Sequence, residues 1–202
     1  MNLQHIRQYF YPHRILDIGA NVGQFHTLCR STFPASFIFS IEASPECESA
    51  LSQITENYYI GLLAKEEKNY SFFSRRNDPT CTGNSIYKEL TPFYNDEQVR
   101  IIEMSGILLD NLFDSNAVFD LIKIDTQGSE LDIMSGGMRL CSRASGILLE
   151  VSLEQYNENS PLKSEVDLFM HNMGFHPVAV LGESGHPITH HIIQHDILYL
   201  RS

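Results

Sequence analysis

Asp17, Gly19, Asn21 and Gly23 stand together in the segment RILDIGANVGQF, where an apolar run ends and an amphipathic one starts. In a parallel sheet, such a junction faces ligands bound beyond the carboxyl ends of the strands. Glycine lets backbone approach a ligand closely. Read as a dinucleotide fingerprint, G-x-G-x-x-G, the segment fails twice. Counting from Gly19, the later glycines are due at 21 and 24, where Asn21 and Gln24 stand. An acid ahead of the turn also opposes a pyrophosphate. It suits a ligand that carries a positive charge and an amino group. S-adenosylmethionine, a sulfonium with an amino-acid tail, has both, and Asp17 could accept from the tail ammonium directly or through water. A plain tight turn with Asp17 capping the helix is the alternative.

A second acid, Glu42, ends the apolar run FIFSIE and is followed by Ala43 and Ser44. A carboxylate at the second strand end can accept from both ribose hydroxyls of a bound nucleoside. With the broken glycine pattern, it favours S-adenosylmethionine over a nicotinamide cofactor. The cofactor-contacting set is therefore Asp17, Gly19, Asn21, Gly23, Phe25, Glu42, Ala43 and Ser44. Phe25 either walls the site or packs in the core.

The totals narrow the class. The chain of 202 residues has a net charge of -11, which disfavours a nucleic-acid substrate. No apolar run reaches membrane-spanning length, and the first residues lack the apolar centre of a secretory signal. The four cysteines, Cys29, Cys47, Cys81 and Cys141, form no C-x-x-C pair and read as free thiols of a reducing compartment. A single cytoplasmic domain, without a membrane span, is expected.

The elements that position these residues follow from periodicity. RILDI, SFIFSIE and NYYIGLLA read as strands, and VGQFHTLCRST as a helix with Val22, Phe25 and Leu28 on one side. SPECESALSQIT reads as a helix, with Ser44 as N-cap and Pro45 at its first position. This opening predicts a parallel α/β sheet with helices on both faces. KNYSFFS reads as a hairpin strand. Residues 75–98 read as a long loop, and a loop of that length inside a domain is usually functional. VRIIEMSGILLDNLF reads as a strand pair broken at Gly106. VFDLIKID and SGILLEVS read as strands flanking SELDIMSGGMRLC, which reads as helical with a break at the two glycines. A helix opened by Pro161 and closed by Gly174 precedes two last strands, FHPVAVL and HDILYLR.

ILDIGANVGQF, FSIEASPE, FDLIKIDTQGSELDIMSGG and LLEVSLEQYNENSPL resemble, in order and spacing, the FkbM family of S-adenosylmethionine-dependent methyltransferases. IKIDTQGSE is the most distinctive of these, where the family shows K-I-D-x-[QE]-G-x-E. The resemblance runs from about Arg14 to Arg201 and is weakest over residues 75–98. It implies a Rossmann-like class I methyltransferase fold with a mostly parallel seven-stranded sheet. It also implies transfer to an oxygen, commonly a hydroxyl of a sugar or glycan. A lipid or polyketide hydroxyl, and a non-catalytic cofactor-binding module, are the rival readings.

Methyl transfer needs an aligned nucleophile, and a general base helps a hydroxyl to attack. Asp125, at the carboxyl end of LIKID, is the expected base, with helix capping as its structural alternative. Lys123, two residues back, reads as the structural partner of a core carboxylate. Glu130 falls in a first helical turn, favourable for an acid, and could contact substrate. Glu150 either binds sugar hydroxyls or pairs with Lys123. From the long loop, Asp78, Ser85 and Tyr87 are candidate acceptor contacts, with a plain loop turn as the alternative for TGNS. His186, His190, His191 and His195 read as an exposed hairpin, because their spacing matches no metal site. No metal ligands are expected.

Overall fold

The first apolar run forms β1 (Arg14–Ile18), and the second forms β2 (Phe37–Glu42), with α1 (Gln24–Thr32) between them. The computed structural model describes residues 1–201. A 3-10 turn over Pro45–Cys47 and α2 (Glu48–Leu51) lead into β3 (Tyr58–Ile60) and β4 (Leu62–Leu63). β5 (Asn69–Arg75) and β6 (Val99–Ile107) follow, then α3 (Leu109–Leu112), β7 (Leu121–Ile124), α4 (Glu130–Gly136) and α5 (Met138–Cys141). β8 (Gly146–Ser152), α6 (Lys163–Asn172), β9 (Phe175–Gly185) and β10 (Ile192–Arg201) complete the chain.

Seven strands form one sheet in the order β3-β2-β1-β7-β8-β10-β9. The first five are parallel, and β10 enters antiparallel between β8 and β9. The chain runs outward from β1 on one side and resumes at β7 on the other, so the sheet has a switch point between β1 and β7. A crevice opens at the strand carboxyl ends there. Successive strand residues point to opposite faces. Ile15, Leu121, Leu148 and Leu198 therefore pack with Phe25 and Cys29 of α1, while Leu16, Ile122, Leu149 and Ile197 pack with Met134, Leu140 and Met170.

Five local expectations change. Residues 58–64 are not one strand: at Gly61 the chain leaves the large sheet, and β4 joins a second sheet of order β4-β6-β5. Residues 99–107 are one strand rather than a pair, because Gly106 fits where a Cβ would meet Tyr70 and Ala64 at 2.7 and 2.9 Å. α1 starts at Gln24, so Val22 belongs to the turn, and the helix buries Phe25, His26, Cys29 and Thr32. Ser44 makes no side-chain cap, because its hydroxyl donates to Glu46 Oε2 at 2.9 Å. α6 starts at Lys163 with Leu162 at the N-cap position, so Pro161 stands ahead of the helix rather than opening it.

Candidate active site

The crevice holds a cavity of about 380 Å³, floored by Gly19–Asn21 and Lys123, with Glu42 and Ala43 on one side and Asp125 on the other. Gly19 has φ +76°, and a Cβ there would sit 1.8 Å from the Asp125 carbonyl oxygen, so the turn needs glycine at that position. Asn21, at φ 49°, is of a type that tolerates the left-handed region. Its backbone N–H donates to Glu42 Oε2 at 2.7 Å, and Ser44 N–H donates to Oε1 at 2.8 Å. Glu42 thus ties together the two strand-end turns that border the cavity. Burial raises its pKa, against the backbone N–H groups of Ser44 and Asn21, which favour the charged form.

Under the cavity lies a buried charge cluster. Lys123 Nζ is 3.3 Å from Asp125 Oδ2 and 3.6 Å from Asp17 Oδ1, and it donates to Gly19 O at 3.2 Å. Burial alone would lower the lysine pKa, but Asp125 and Asp17 hold it above its ordinary value. Burial raises the Asp17 pKa, and Lys123 opposes that rise. Of the two alternatives for Glu150, pairing with Lys123 is not seen; Lys123 takes Asp125 and Asp17 instead. Glu150 Oε2 instead accepts from Gln127 Nε2 at 2.5 Å and Gln194 Nε2 at 2.9 Å.

Gly19, Asn21, Phe25, Glu42, Ala43, Ser85 and Asp125 border the cavity; Asp17, Gly23, Ser44, Asp78, Tyr87, Glu130 and Glu150 do not. Asp17 is fully buried one layer below, where it reaches the cavity only through Lys123. Gly23 sits at the N-terminus of α1, and a Cβ there would meet Ile54 Cδ1 at 2.7 Å. Glu130 is used in holding the 126–128 turn, since its Oε1 accepts from Thr126 N–H, the Thr126 hydroxyl and Gly128 N–H at 2.9, 3.3 and 3.2 Å. Tyr87 donates to Asp132 Oδ2 at 3.0 Å, and Asp78 pairs with Arg75 at 3.5 Å.

The loop over residues 76–98 roofs the cavity. Asn21 Nδ2 donates to Thr80 O at 2.8 Å, Ser44 Oγ to Pro79 O at 3.3 Å, and Ser85 Oγ to Thr126 O at 2.9 Å. Leu62, Leu63 and Phe72 close the apolar wall. These last residues, with Thr126 and Cys81, were not singled out from the sequence; the glycine inside NYYIGLLA was the available signal. The expectation of an exposed histidine hairpin holds only in part: His190 and His191 are exposed, but His186 is half-buried and stacks on His191 at 5.5 Å, and His195 is half-buried within β10, paired to β8 and β9, while His191 Nε2 meets Glu154 at 2.8 Å. Among the described residues, no three His, Cys, Asp or Glu side chains converge into a metal-holding group, and no helix is long and apolar enough to cross a membrane.

This architecture is shared with solved methyltransferases. Magnesium protoporphyrin IX methyltransferase from Synechocystis PCC 6803 with bound SAM is 10% identical, with a TM-score of 0.54 over 98% of this chain and 74% of that one. The plantazolicin methyltransferase BpumL in complex with SAH is 13% identical, with a TM-score of 0.52 over 98% of this chain and 80% of that one. Methyltransferase FkbM from Methylobacillus flagellatus KT is 16% identical, with a TM-score of 0.54 over 93% of this chain. The fold is the Rossmann-like class I methyltransferase fold. The family model described as Methyltransferase FkbM domain matches residues 17–177, and the chain belongs to that family. It spans 43% of the length of the Methylobacillus protein. No curated protein sequence matches it.

Proposed function

We propose that this methyltransferase transfers to oxygen, on a hydroxyl of a sugar or glycan, with Asp125 as the general base. The observation that carries the reading is the place of Asp125. Its carboxylate lines the cavity at the carboxyl end of β7, with one oxygen paired to Lys123 and a side chain 31% exposed. A base must reach the proton it abstracts, and this carboxylate is open to an acceptor while its neighbours Asp17 and Glu130 are enclosed.

The cofactor is S-adenosylmethionine, which when bound supplies an activated methyl group whose C–S bonding electrons stay on sulfur. The cavity fits it. Glu42 and Asp125 offer two carboxylates to a cationic ligand, and the cradle at Gly19 admits backbone contact. Glu42 would take the ribose hydroxyls through the lone pairs that Asn21 and Ser44 leave free. Gly19, Asn21, Ala43 and Phe25 would line the bound nucleoside. Asp17, with Gly23 and Ser44, would support the turns from behind. Asp125 would take the proton of the acceptor hydroxyl as the new O–C bond forms, so the acceptor leaves as a neutral ether.

Beyond Asp125 the carboxyl ends of β7 and β8 are polar, with Gln127, Glu150 and, on β10, Gln194 and Asp196 close together. That polar surround supports a polyhydroxyl acceptor over the apolar body of a lipid or polyketide chain. Calorimetric titration with S-adenosylhomocysteine, followed by a mass-shift screen on glycosides with and without chelator, tests the reading. Binding is expected, with mass gain on sugar hydroxyls independent of chelator. Asp125→Asn is expected to keep binding and lose about 10²- to 10⁴-fold in turnover. Full turnover in Asp125→Asn, or methylation confined to nitrogen acceptors, overturns it.

A further inference from the structure

Ile124 and Leu149 are register partners in the parallel pair β7–β8, so Asp125 and Glu150 occupy the next position on each chain, side by side. Neighbouring strands are about 4.8 Å apart, and side chains in register project to the same side. Gln127 bridges the two carboxyls: its Nε2 lies 2.5 Å from Glu150 Oε2 and 3.5 Å from Asp125 Oδ1. To do so, it holds a left-handed backbone at φ 57° while its side chain is buried, a conformation that costs energy in a non-glycine residue. A second buried amide, Gln194 on β10, donates to the same oxygen, Glu150 Oε2, at 2.9 Å. Oε1 receives no donor among the described residues and is not enclosed. Two amides are thus committed to fixing one carboxyl with a chosen oxygen free.

We propose that Gln127 and Gln194 are positioning residues that hold Glu150 so that its free oxygen binds the second hydroxyl of a vicinal diol, while Asp125 takes the reacting one. The proposal rests on the oxygen-transfer reading above and names the acceptor class within it: adjacent hydroxyls, as on a pyranose ring. Gln194 lies on β10, so the C-terminal hairpin would supply part of this hold on Glu150. Burial, and next the Asp125 charge, holds Glu150 well above the ordinary carboxylate range. Its free oxygen can hydrogen-bond one diol hydroxyl while Asp125 accepts from the other.

Methyl hexopyranosides and their monodeoxy analogues, lacking the hydroxyl adjacent to the methylated one, are the probes. In the native protein the deoxy analogue is expected to lose about tenfold to a hundredfold in kcat/KM, as for a lost hydrogen bond to a site built for it. In Gln194→Leu the diol is expected to fall toward the rate of the deoxy analogue, whose own rate changes little. In Gln127→Ala, which also removes a contact to Asp125, both acceptors are expected to slow, the diol by the larger factor. S-adenosylhomocysteine affinity and circular dichroism report that each variant is folded. If Gln194→Leu slows diol and deoxy acceptors by the same factor, or if the native protein shows no diol preference, the positioning role is wrong and oxygen transfer stands. If S-adenosylhomocysteine binds but no glycoside is methylated, the oxygen-transfer reading falls and takes the diol with it.

Discussion

Lys123 and Asp17 are register partners on the adjacent parallel strands β7 and β1, and the Nζ of one lies 3.6 Å from the Oδ1 of the other. Both are buried, and the lysine also donates to Gly19 O and pairs with Asp125. One ammonium thus joins the glycine turn, the buried acid beneath it and the acid that lines the cavity. Removing one member of a buried pair strands the other charge, at about 3–5 kcal/mol. Lys123→Met is expected to lose stability on that scale in denaturant titration. Asp17→Asn in the same chain is expected to restore a large part of it. A double variant no more stable than the single one would mean the pair is not the source of the loss.

The Gly19 turn gives a sharper contrast. Gly19 and Gly174 both have positive φ, at +76° and +80°. A Cβ at Gly19 runs into the Asp125 carbonyl, whereas a Cβ at Gly174 meets nothing within 4 Å. Gly174→Ala should therefore cost only the left-handed conformation, about 1–2 kcal/mol. Gly19→Ala should in addition displace the turn and weaken S-adenosylhomocysteine binding by about tenfold or more. Calorimetry on the two variants separates these effects, and equal affinities would argue that the turn does not meet the nucleoside.

Thiol chemistry reports on the same cavity. Cys29, Cys47 and Cys141 are buried, and burial raises each thiol, in Cys47 and Cys141 to about 12. Cys81 is partly exposed and lines the cavity from the roofing loop. Under native conditions, alkylation followed by mass spectrometry should find one fast thiol, Cys81, and S-adenosylhomocysteine should slow it. Equal labelling with and without that ligand would place the ligand elsewhere.

Glu130 sets a pH dependence of stability. Burial pushes its carboxyl up to about 7, although three donors on Oε1 favour the charged form. The folded state therefore holds this proton more tightly than the unfolded state, whose carboxyl titrates near 4.5. Stability from this group is complete below that value and is lost as pH rises toward about 7, by up to about 3 kcal/mol. Glu130→Gln keeps an acceptor for the three donors and removes the titration. Unfolding free energies should match at pH 5 and favour the variant at pH 8. A parallel pair of curves across that range would refute the assignment.

The parts of the fold with a strong local period were legible. RILDI, FIFSIE and LIKI are short apolar runs with an acid near the end, and each became a strand of the large sheet; β2 and β7 bring Glu42 and Asp125 to the crevice, while Asp17 of β1 stays buried beneath it. What was not legible depends on contacts distant in sequence. Gly61 looks like any strand glycine until β6 is seen to capture Leu62 and Leu63. Asp17 and Glu42 read alike as strand-end acids. Asp17 lies under Lys123, 106 residues away in the chain, and Glu42 opens to the cavity. The amides on Glu150 come from residues 23 and 44 positions away, so no local pattern marks them.

The hand-over of main-chain pairing at Gly61 divides the walls of the cavity between two sheets. The large sheet fixes the spacing of Asp17, Glu42 and Asp125, while β5, β6 and the roof between them hang from it as an outrigger. Because that roof is tied to Asn21, Ser44 and Thr126, a change in its length would reshape the cavity mouth while the strands of the large sheet still hold the three acids.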